Sequence, residues 1–161
     1  MGFYLLPLVM LGFFLGAIAV ERQHAQDLVP TARASLASSS GQTFVAYRNA
    51  VAGYKNTNAA FTCTVTAAML TSAGYKFSTA FLATVSNQIT ATGLGGFVIT
   101  CYGALEPGAL MAARTFTESD ASLGISTGSS SWVGGIDGGT LLSLSTPVPT
   151  GNVVSVIQIG S

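Results

Sequence analysis

The chain has 161 residues, of which only 7% are charged, and its six basic and six acidic side chains give a formal net charge of zero. An average soluble protein carries about 25% charged residues, so hydroxyl groups and backbone must supply much of the polar surface. The basic residues are scattered and form no cluster that could neutralise a run of phosphates, which excludes a nucleic-acid-binding protein. Beyond residue 20, roughly 140 residues remain, enough for one modest domain with a core.

The first element is an uncharged apolar segment from Phe3 to Val20, which ends at Glu21 and Arg22. At about 1.5 Å per residue, a helix of this length reaches roughly 27 Å, close to the ~30 Å hydrocarbon core of a bilayer. We therefore predict a transmembrane anchor over residues 1–20. Its predicted lipid-facing side chains are Phe3, Leu5, Leu8, Leu11, Phe14 and Ile18.

The alternative to a retained anchor is a cleaved secretory signal. Ala17-Ile18-Ala19 fits a small-x-small cleavage site, which would release a soluble binding domain starting after Ala19. A signal peptide normally carries a basic leader, and only Met1 and Gly2 precede the apolar segment, which favours the anchor. Arg22 is the only nearby cation, so flanking charge does not decide the orientation.

Residues 21–56 are predicted to form a helical stalk, either one long helix or two helices broken near Ser38-Ser39-Ser40-Gly41. Its apolar stripe follows helical spacing and consists of Leu28, Ala32, Leu36, Phe44, Tyr47, Val51 and Tyr54. The stripe either packs on a sheet or meets a partner. For the second alternative, Tyr47, Arg48 and Tyr54 are the candidate interface, because Tyr and Arg are frequent at binding hot spots.

The middle of the chain is less regular. Phe61 to Val65 alternates and is predicted as a short strand or an extended segment. Thr66 is a predicted N-cap for a brief helix over residues 67–72, which Gly74 ends. Residues 80–90 place apolar side chains at helix-like spacing, and we predict a helix there.

The last third is predicted to be mostly strands. The prediction gives a strand over residues 96–102, a helix over 109–116 opened by Pro107-Gly108, and strands near 123–126, 140–145 and 153–159, with turns at 129–131 and 134–139. Helices followed by strands indicate an α+β fold with a small antiparallel sheet and a helix packed on one face. The predicted domains are the anchor, the helical stalk and an α+β domain over residues 57–161.

The sequence contains few residues that could carry out catalysis. His24, the only histidine, lies four residues past the apolar segment and is a poor member of a folded catalytic site. Glu118 and Asp120 flank Ser119 at a predicted helix end, which is typical of a solvated terminus. The glycines at 93, 95 and 96 are not followed by the glycine that a dinucleotide fingerprint needs, because Val98 occupies that position. We predict no enzyme activity, no metal, no cofactor and no small-molecule substrate.

Cys63 and Cys101 are the only cysteines. In an exported domain they could form a disulfide, which would place the domain in an oxidising compartment such as the periplasm. Alternatively they are two small hydrophobic residues that do not meet. The sequence leaves both alternatives open.

Several segments resemble a known family. They are Tyr47-Arg48-Asn49-Ala50-Val51 with Tyr54, the positions Phe61 and Val65, the glycine-rich middle, and the C-terminal segment Val148 to Val154. Together with the short anchor, they resemble the PilM family, small inner-membrane proteins of thin, type IV-like conjugative pili and related toxin-coregulated systems. The actin-like ATPase of the same name is unrelated.

The resemblance implies a non-enzymatic, single-pass component of the bacterial inner membrane, with its domain in the periplasm. Its implied role is in the pilus base or the pilin export apparatus, and its implied partners are other pilus assembly proteins or pilins. The alternative is a minor pilin or pseudopilin, because an apolar helix continuing into an amphipathic helix and a sheet is the pilin architecture. Against it, the fifth residue after the Gly2-Phe3 junction is Pro7, where pilins carry glutamate.

Overall fold

The computed structural model describes residues 32–93, 95–135, 139 and 141–160. The first element in this range is a long helix, α1, over residues 32–57. The chain divides into two units, Met1–Leu36 and Ala37–Ser161, and the second contains the sheet and the hydrophobic core. Among the described residues no helix is long and apolar enough to cross a membrane. The predicted anchor, with Phe3, Leu5, Leu8, Leu11, Phe14 and Ile18, lies outside the described residues.

Helix α1 runs without interruption through Ser38 to Gly41, so of the two predicted alternatives the structure has the unbroken helix over residues 32–57. Gly41 normally weakens a helix, but here it is buried against the backbone of Ala109 and Ala113, where a side chain would not fit. Close packing therefore offsets a propensity penalty of up to about 1 kcal/mol. The helix ends at residue 57 as predicted, and the side-chain amide of Asn58 donates to the Tyr54 carbonyl at 3.0 Å.

After α1, residues 61–65 form an extended segment rather than a strand. Helix α2, Ala67–Ser72, has the predicted cap, since the Thr66 hydroxyl accepts from the Met69 amide. A one-turn helix α3, Thr79–Leu82, follows, capped by Ser78.

The predicted helix over residues 80–90 is right only for its first residues, because α3 ends at Leu82 and strand β1 occupies Val85–Ala91. The strand pairs along its whole length with β2, Phe97–Gly103, so its backbone amides and carbonyls form hydrogen bonds in a sheet rather than in a helix. Asn87 takes one of the buried positions, which broke the apolar alternation and concealed the strand.

The remaining elements are α4, Ala109–Phe116, and four strands: β3, Leu123–Gly128; β4, Ser131–Gly134; β5, Leu141–Ser143; and β6, Val153–Ile159. The strand predictions near 96–102, 123–126, 140–145 and 153–159 and the helix over 109–116 are confirmed. Strand β4 is not among the predictions, because the predicted turns at 129–131 and 134–139 include its first and last residues, Ser131 and Gly134.

The six strands form one antiparallel sheet in the order β1-β2-β6-β3-β4-β5. Val153 belongs to a core cluster with Phe44 and Val51 of α1, whereas its neighbour Val154 belongs to a second cluster with Trp132 and the chain around Leu144 and Val148. Successive side chains of a strand point to opposite faces, so α1 covers one face and residues 144–148 cover part of the other. The predicted α+β fold is confirmed.

Candidate functional site

Tyr47, one of the three predicted interface residues, lies in the core with 3% of its surface exposed. Its ring makes edge-to-face contacts with Phe77 and Phe81 at centroid distances of 5.7 and 5.9 Å. Its hydroxyl accepts a hydrogen bond from the Asn87 side-chain amide at 2.7 Å. Burial raises the pKa of Tyr47 to about 12, so the phenol stays neutral and serves as a polar anchor inside the core.

Asn87 uses its remaining polar groups on Val65. Its side-chain oxygen accepts from the Val65 amide at 2.8 Å, and its side-chain nitrogen donates to the Val65 carbonyl at 2.9 Å. This network attaches the extended segment 61–65 to β1 and to α1. The function of Tyr47 is therefore structural.

Arg48 is also buried, with 8% of its surface exposed. Its Nη1 lies 2.7 Å from the Asp120 carboxylate and donates to the hydroxyls of Ser122 at 2.7 Å and Ser155 at 3.4 Å. The guanidinium thus joins α1 to strand β6 and to the loop between α4 and β3.

Partial burial by itself raises the pKa of Asp120, but the hydrogen bonds from the Ser122 amide and hydroxyl and the charge of Arg48 outweigh it, so the pKa lies below its ordinary value. The loop that presents Asp120 is conformationally unusual, since Glu118 and Ser119 have φ angles of 53° and 71°. Such left-handed backbone is unfavourable for residues other than glycine. The ion pair is therefore part of what holds this loop in place.

Tyr54 is half-buried and stacks edge-to-face on Phe61 at a centroid distance of 5.4 Å. It borders a cleft of about 410 Å³ between the end of α1 and the residues that follow α2. Tyr47, Arg48 and Tyr54 therefore do not form one exposed face. The predicted partner interface is corrected: Tyr47 and Arg48 make core contacts, because the face of α1 that carries them packs on the sheet, and Tyr54 packs on Phe61.

The structure has no disulfide between Cys63 and Cys101: both thiols are free, Cys63 exposed and Cys101 buried. The Cys63 carbonyl accepts from Ile89 of β1, while Cys101 lies in β2 on the other side of β1. Two strand spacings, about 10 Å, exceed the Cα separation that a disulfide spans. Burial raises the pKa of the Cys101 thiol to about 12. No group of three or more His, Cys, Asp or Glu that could hold a metal occurs in the described residues.

Lys55 and Arg114 are buried structural cations like Arg48. The Lys55 ammonium lies 3.1 Å from the centroid of the Phe97 ring and donates to the carbonyl of Ala59. Arg114 donates to the Leu123 carbonyl at 2.8 Å. Lys76, in contrast, is exposed.

Lys76 stands at an open groove of about 560 Å³ between α1, the segment before α3 and the end of α4. The groove is lined by Gln42, Thr43, Val45, Ala46, Asn49, Lys76, Phe77 and Phe116. Its apolar part is formed by Val45, Phe77 and Phe116, and Lys76 is the one charged residue among these eight.

Phe116 is the last residue of α4 and leaves 59% of its surface exposed. A phenyl ring left this exposed beside an apolar groove is a candidate anchor for another protein, because aromatic side chains bury large areas at interfaces. Sequence reasoning did not find this groove. The residues that line it come from three elements, and only the folded chain brings them together. We call this surface, defined by its eight lining residues, the α1–α4 groove.

Comparisons with known proteins place the fold and the family. The crystal structure of a protein described as PilM from Escherichia coli B7A superposes with a TM-score of 0.55 at 17% identity, covering 76% of this chain and 92% of that one. At this identity the likeness concerns the fold. No curated protein matches the chain significantly.

The family model PilM matches residues 10–156, which is nearly the whole chain and includes every helix and most of the sheet described above. The resemblance noted in the sequence is thereby confirmed, and it indicates a pilus-related role. The chain belongs to the PilM family.

Proposed function

We propose that the protein is a non-enzymatic component of type IV-like, conjugative thin pilus biogenesis that binds another pilus assembly protein or a pilin. In this proposal residues 1–20 anchor it in the bacterial inner membrane and the α+β domain lies in the periplasm, as part of the pilus base or the pilin export apparatus. The membership of the PilM family supports the pilus connection. The uncharged segment from Phe3 to Val20 supports the anchor.

The observation that carries the binding role is the α1–α4 groove. Its apolar lining and the exposed ring of Phe116 suit an apolar segment of the partner, and the single ammonium of Lys76 suits a carboxylate at the edge of that segment. Apolar burial of the rest of the Phe116 ring would contribute roughly 1–2 kcal/mol. The Lys76 pair would contribute less than about 1 kcal/mol, since it stays solvated, and would mainly orient the partner.

The test replaces Phe116 by serine and uses Met111→Ser as a matched control. Both side chains belong to α4 and are similarly exposed, 59% and 58%, but Met111 does not line the groove. A photo-crosslinking amino acid at position 46, where Ala46 lines the groove, reports binding of a protein of the same pilus system. We expect Phe116→Ser to reduce both this crosslink and pilus assembly, while Met111→Ser leaves both unchanged. Equal behaviour of the two variants, with normal protein levels, contradicts the assignment of the groove.

A minor pilin or pseudopilin is the second candidate, because α1 packs along one face of an antiparallel sheet as the pilin helix does. The two candidates differ at the amino terminus. Processing after Gly2 with a methylated Phe3 identifies a pilin, whereas an intact terminus identifies an anchored assembly component. Mass spectrometry of the protein isolated from membranes distinguishes these outcomes.

A further inference from the structure

The two edges of the sheet are finished differently. Beside β1, the segment 61–65 supplies a carbonyl to Ile89 and exchanges hydrogen bonds with Asn87, so that edge is covered. Strand β5 is the opposite edge, with no strand beyond it in the described sheet. Its three residues are all exposed, and Leu141 and Leu142 leave 63% and 47% of their surfaces open.

The hydrogen-bonding pattern fixes which backbone groups face the open side. The Leu144 amide donates to the Ser130 carbonyl at 2.9 Å, and these residues continue the register in which Leu142 pairs with Trp132. Hydrogen-bonded and non-hydrogen-bonded pairs alternate along an antiparallel ladder. Leu142 therefore bonds to β4, while the amides and carbonyls of Leu141 and Ser143 point away from the sheet.

No residue of strands β3, β4 and β5 repels another strand. Exposed edges are normally protected by charged residues or proline, and β3, β4 and β5 contain neither. Apolar side chains also run across this end of the sheet, because Ile125 pairs with Val133 and Val133 pairs with Leu141. Ile125 and Leu141 are exposed, so the row ends without cover at the edge.

We propose that β5 pairs antiparallel with β5 of a second copy of this chain, about a two-fold axis at Leu142, joining the two sheets. In that register Leu141 faces Ser143 of the second copy, and Ser143 faces its Leu141. All four outward backbone groups of each strand are then satisfied, which makes four hydrogen bonds in total. The two Leu142 side chains meet as a non-hydrogen-bonded pair, the closer of the two pair types.

Self-pairing uses the whole of this short strand, because three residues pair every outward group when the axis passes through the middle one, and the two apolar Leu142 side chains then match each other. Strand β5 and its neighbour β4 also carry no charge, so these strands of two copies do not repel each other. The contact is small compared with the ~1,200 Å² or more of stable interfaces. The dimer is therefore weak, and it forms where the protein is concentrated. This inference goes beyond the proposed function and does not depend on the α1–α4 groove.

The first test is the substitution Ser143→Pro, with Ser143→Ala as its control. Proline removes an amide that faces away from β4, so it deletes two of the four bonds between copies and none within β5. In sedimentation equilibrium of the full-length chain in detergent, up to several hundred micromolar, we expect the proline variant to dimerise at least about tenfold more weakly. The alanine variant should match the parent, and equal melting temperatures would show that both fold. A monomeric parent over this range, or equal dimerisation of the two variants, overturns the proposal.

The second test is cysteine crosslinking in membranes. With Cys63 replaced by serine, Cys101 is buried and does not compete, so Leu142→Cys supplies one reactive thiol on the axis. We expect it to form a dimer of this chain faster than Ala91→Cys, an exposed position on the other edge strand. Equal rates, or crosslinking of the Leu142→Cys variant to a different protein, overturn pairing between copies. Because neither test uses the groove, failure here leaves the proposed function to its own experiment.

Discussion

The buried guanidinium of Arg48 makes Asp120→Asn an informative perturbation. The variant keeps an oxygen that can accept from the Ser122 amide, now at 2.8 Å. When the bond from the Ser122 amide is kept, the other carboxylate oxygen, which lies 2.7 Å from Arg48 Nη1, is replaced by the NH₂ group of asparagine. The guanidinium then faces a donor instead of an acceptor and remains buried without its counter-charge.

The size of the effect follows from the burial of the two partners. The Arg48 side chain is 9% exposed and that of Asp120 is 30% exposed. Breaking a fully buried pair costs about 3–5 kcal/mol, while an exposed pair contributes about 0–1 kcal/mol. This pair lies between the two, so we expect Asp120→Asn to lower the free energy of unfolding by about 2 kcal/mol at pH 7.

The effect must also depend on pH in one direction. The pKa of Asp120 is lower in the folded protein than the ordinary value of about 3.9. The stabilisation is therefore fully present above that value and is lost as the pH falls through the folded-state pKa. The difference between the parent and Asp120→Asn should shrink towards zero in acid, since protonated Asp120 also lacks the charge.

The assay is denaturant unfolding of the full-length chain in mild detergent between about pH 7 and pH 2, with Arg48→Met and the double variant completing a cycle. Glu106→Gln is the charge control, because Glu106 is exposed and has no ion pair in the described part of the chain. A coupling free energy below about 0.5 kcal/mol, or a difference that stays constant with pH, would refute the reasoning, since that is the behaviour of an exposed pair.

Two further predictions concern packing and thiols. Gly41→Ala should lower the free energy of unfolding by about 1–3 kcal/mol despite alanine's higher helix propensity, because its Cβ would overlap the Ala109 carbonyl oxygen and lie 2.8 Å from the Ala113 nitrogen. Thermal unfolding checks this, and a stabilised variant would mean that α1 and α4 do not approach as described. A thiol-reactive reagent should modify Cys63 at once and Cys101 only after denaturation, since burial raises the pKa of Cys101 to about 12. Two fast-reacting thiols would contradict the difference in burial, and no reaction without reductant would mean that the cysteines are not free.

Local signals predicted many of the elements. The Thr66 hydroxyl caps α2, Pro107-Gly108 precedes α4, and the run of valine and isoleucine over 153–159 gives β6, all as expected. These signals involve residues close together in the sequence, so they depend little on the rest of the fold. The prediction for β1 failed because this segment becomes a strand by pairing with β2, and the buried Asn87 interrupts the alternation of apolar and polar residues that is typical of a strand.

The candidate interface failed for a related reason. Tyr47 and Arg48 have the composition of a binding hot spot, but composition does not tell a buried contact from an exposed one. The fold turns both side chains inward, towards Asn87 and Asp120. Phe116, whose exposure marks the groove, carries no local signal that separates it from the core phenylalanines.

The sequence by itself determined the family, the α+β class, the neutral and thinly charged surface, and the prediction of an anchor, because each depends on composition, short-range period or pattern over the chain. Only the tertiary structure decided which polar residues are buried, whether Cys63 and Cys101 are close enough to bond, and which sheet edge stays open. These properties depend on distances between residues far apart in the chain. The order β1-β2-β6-β3-β4-β5 sets those distances, and it depends on pairing between strands far apart in the chain, such as β2 with β6.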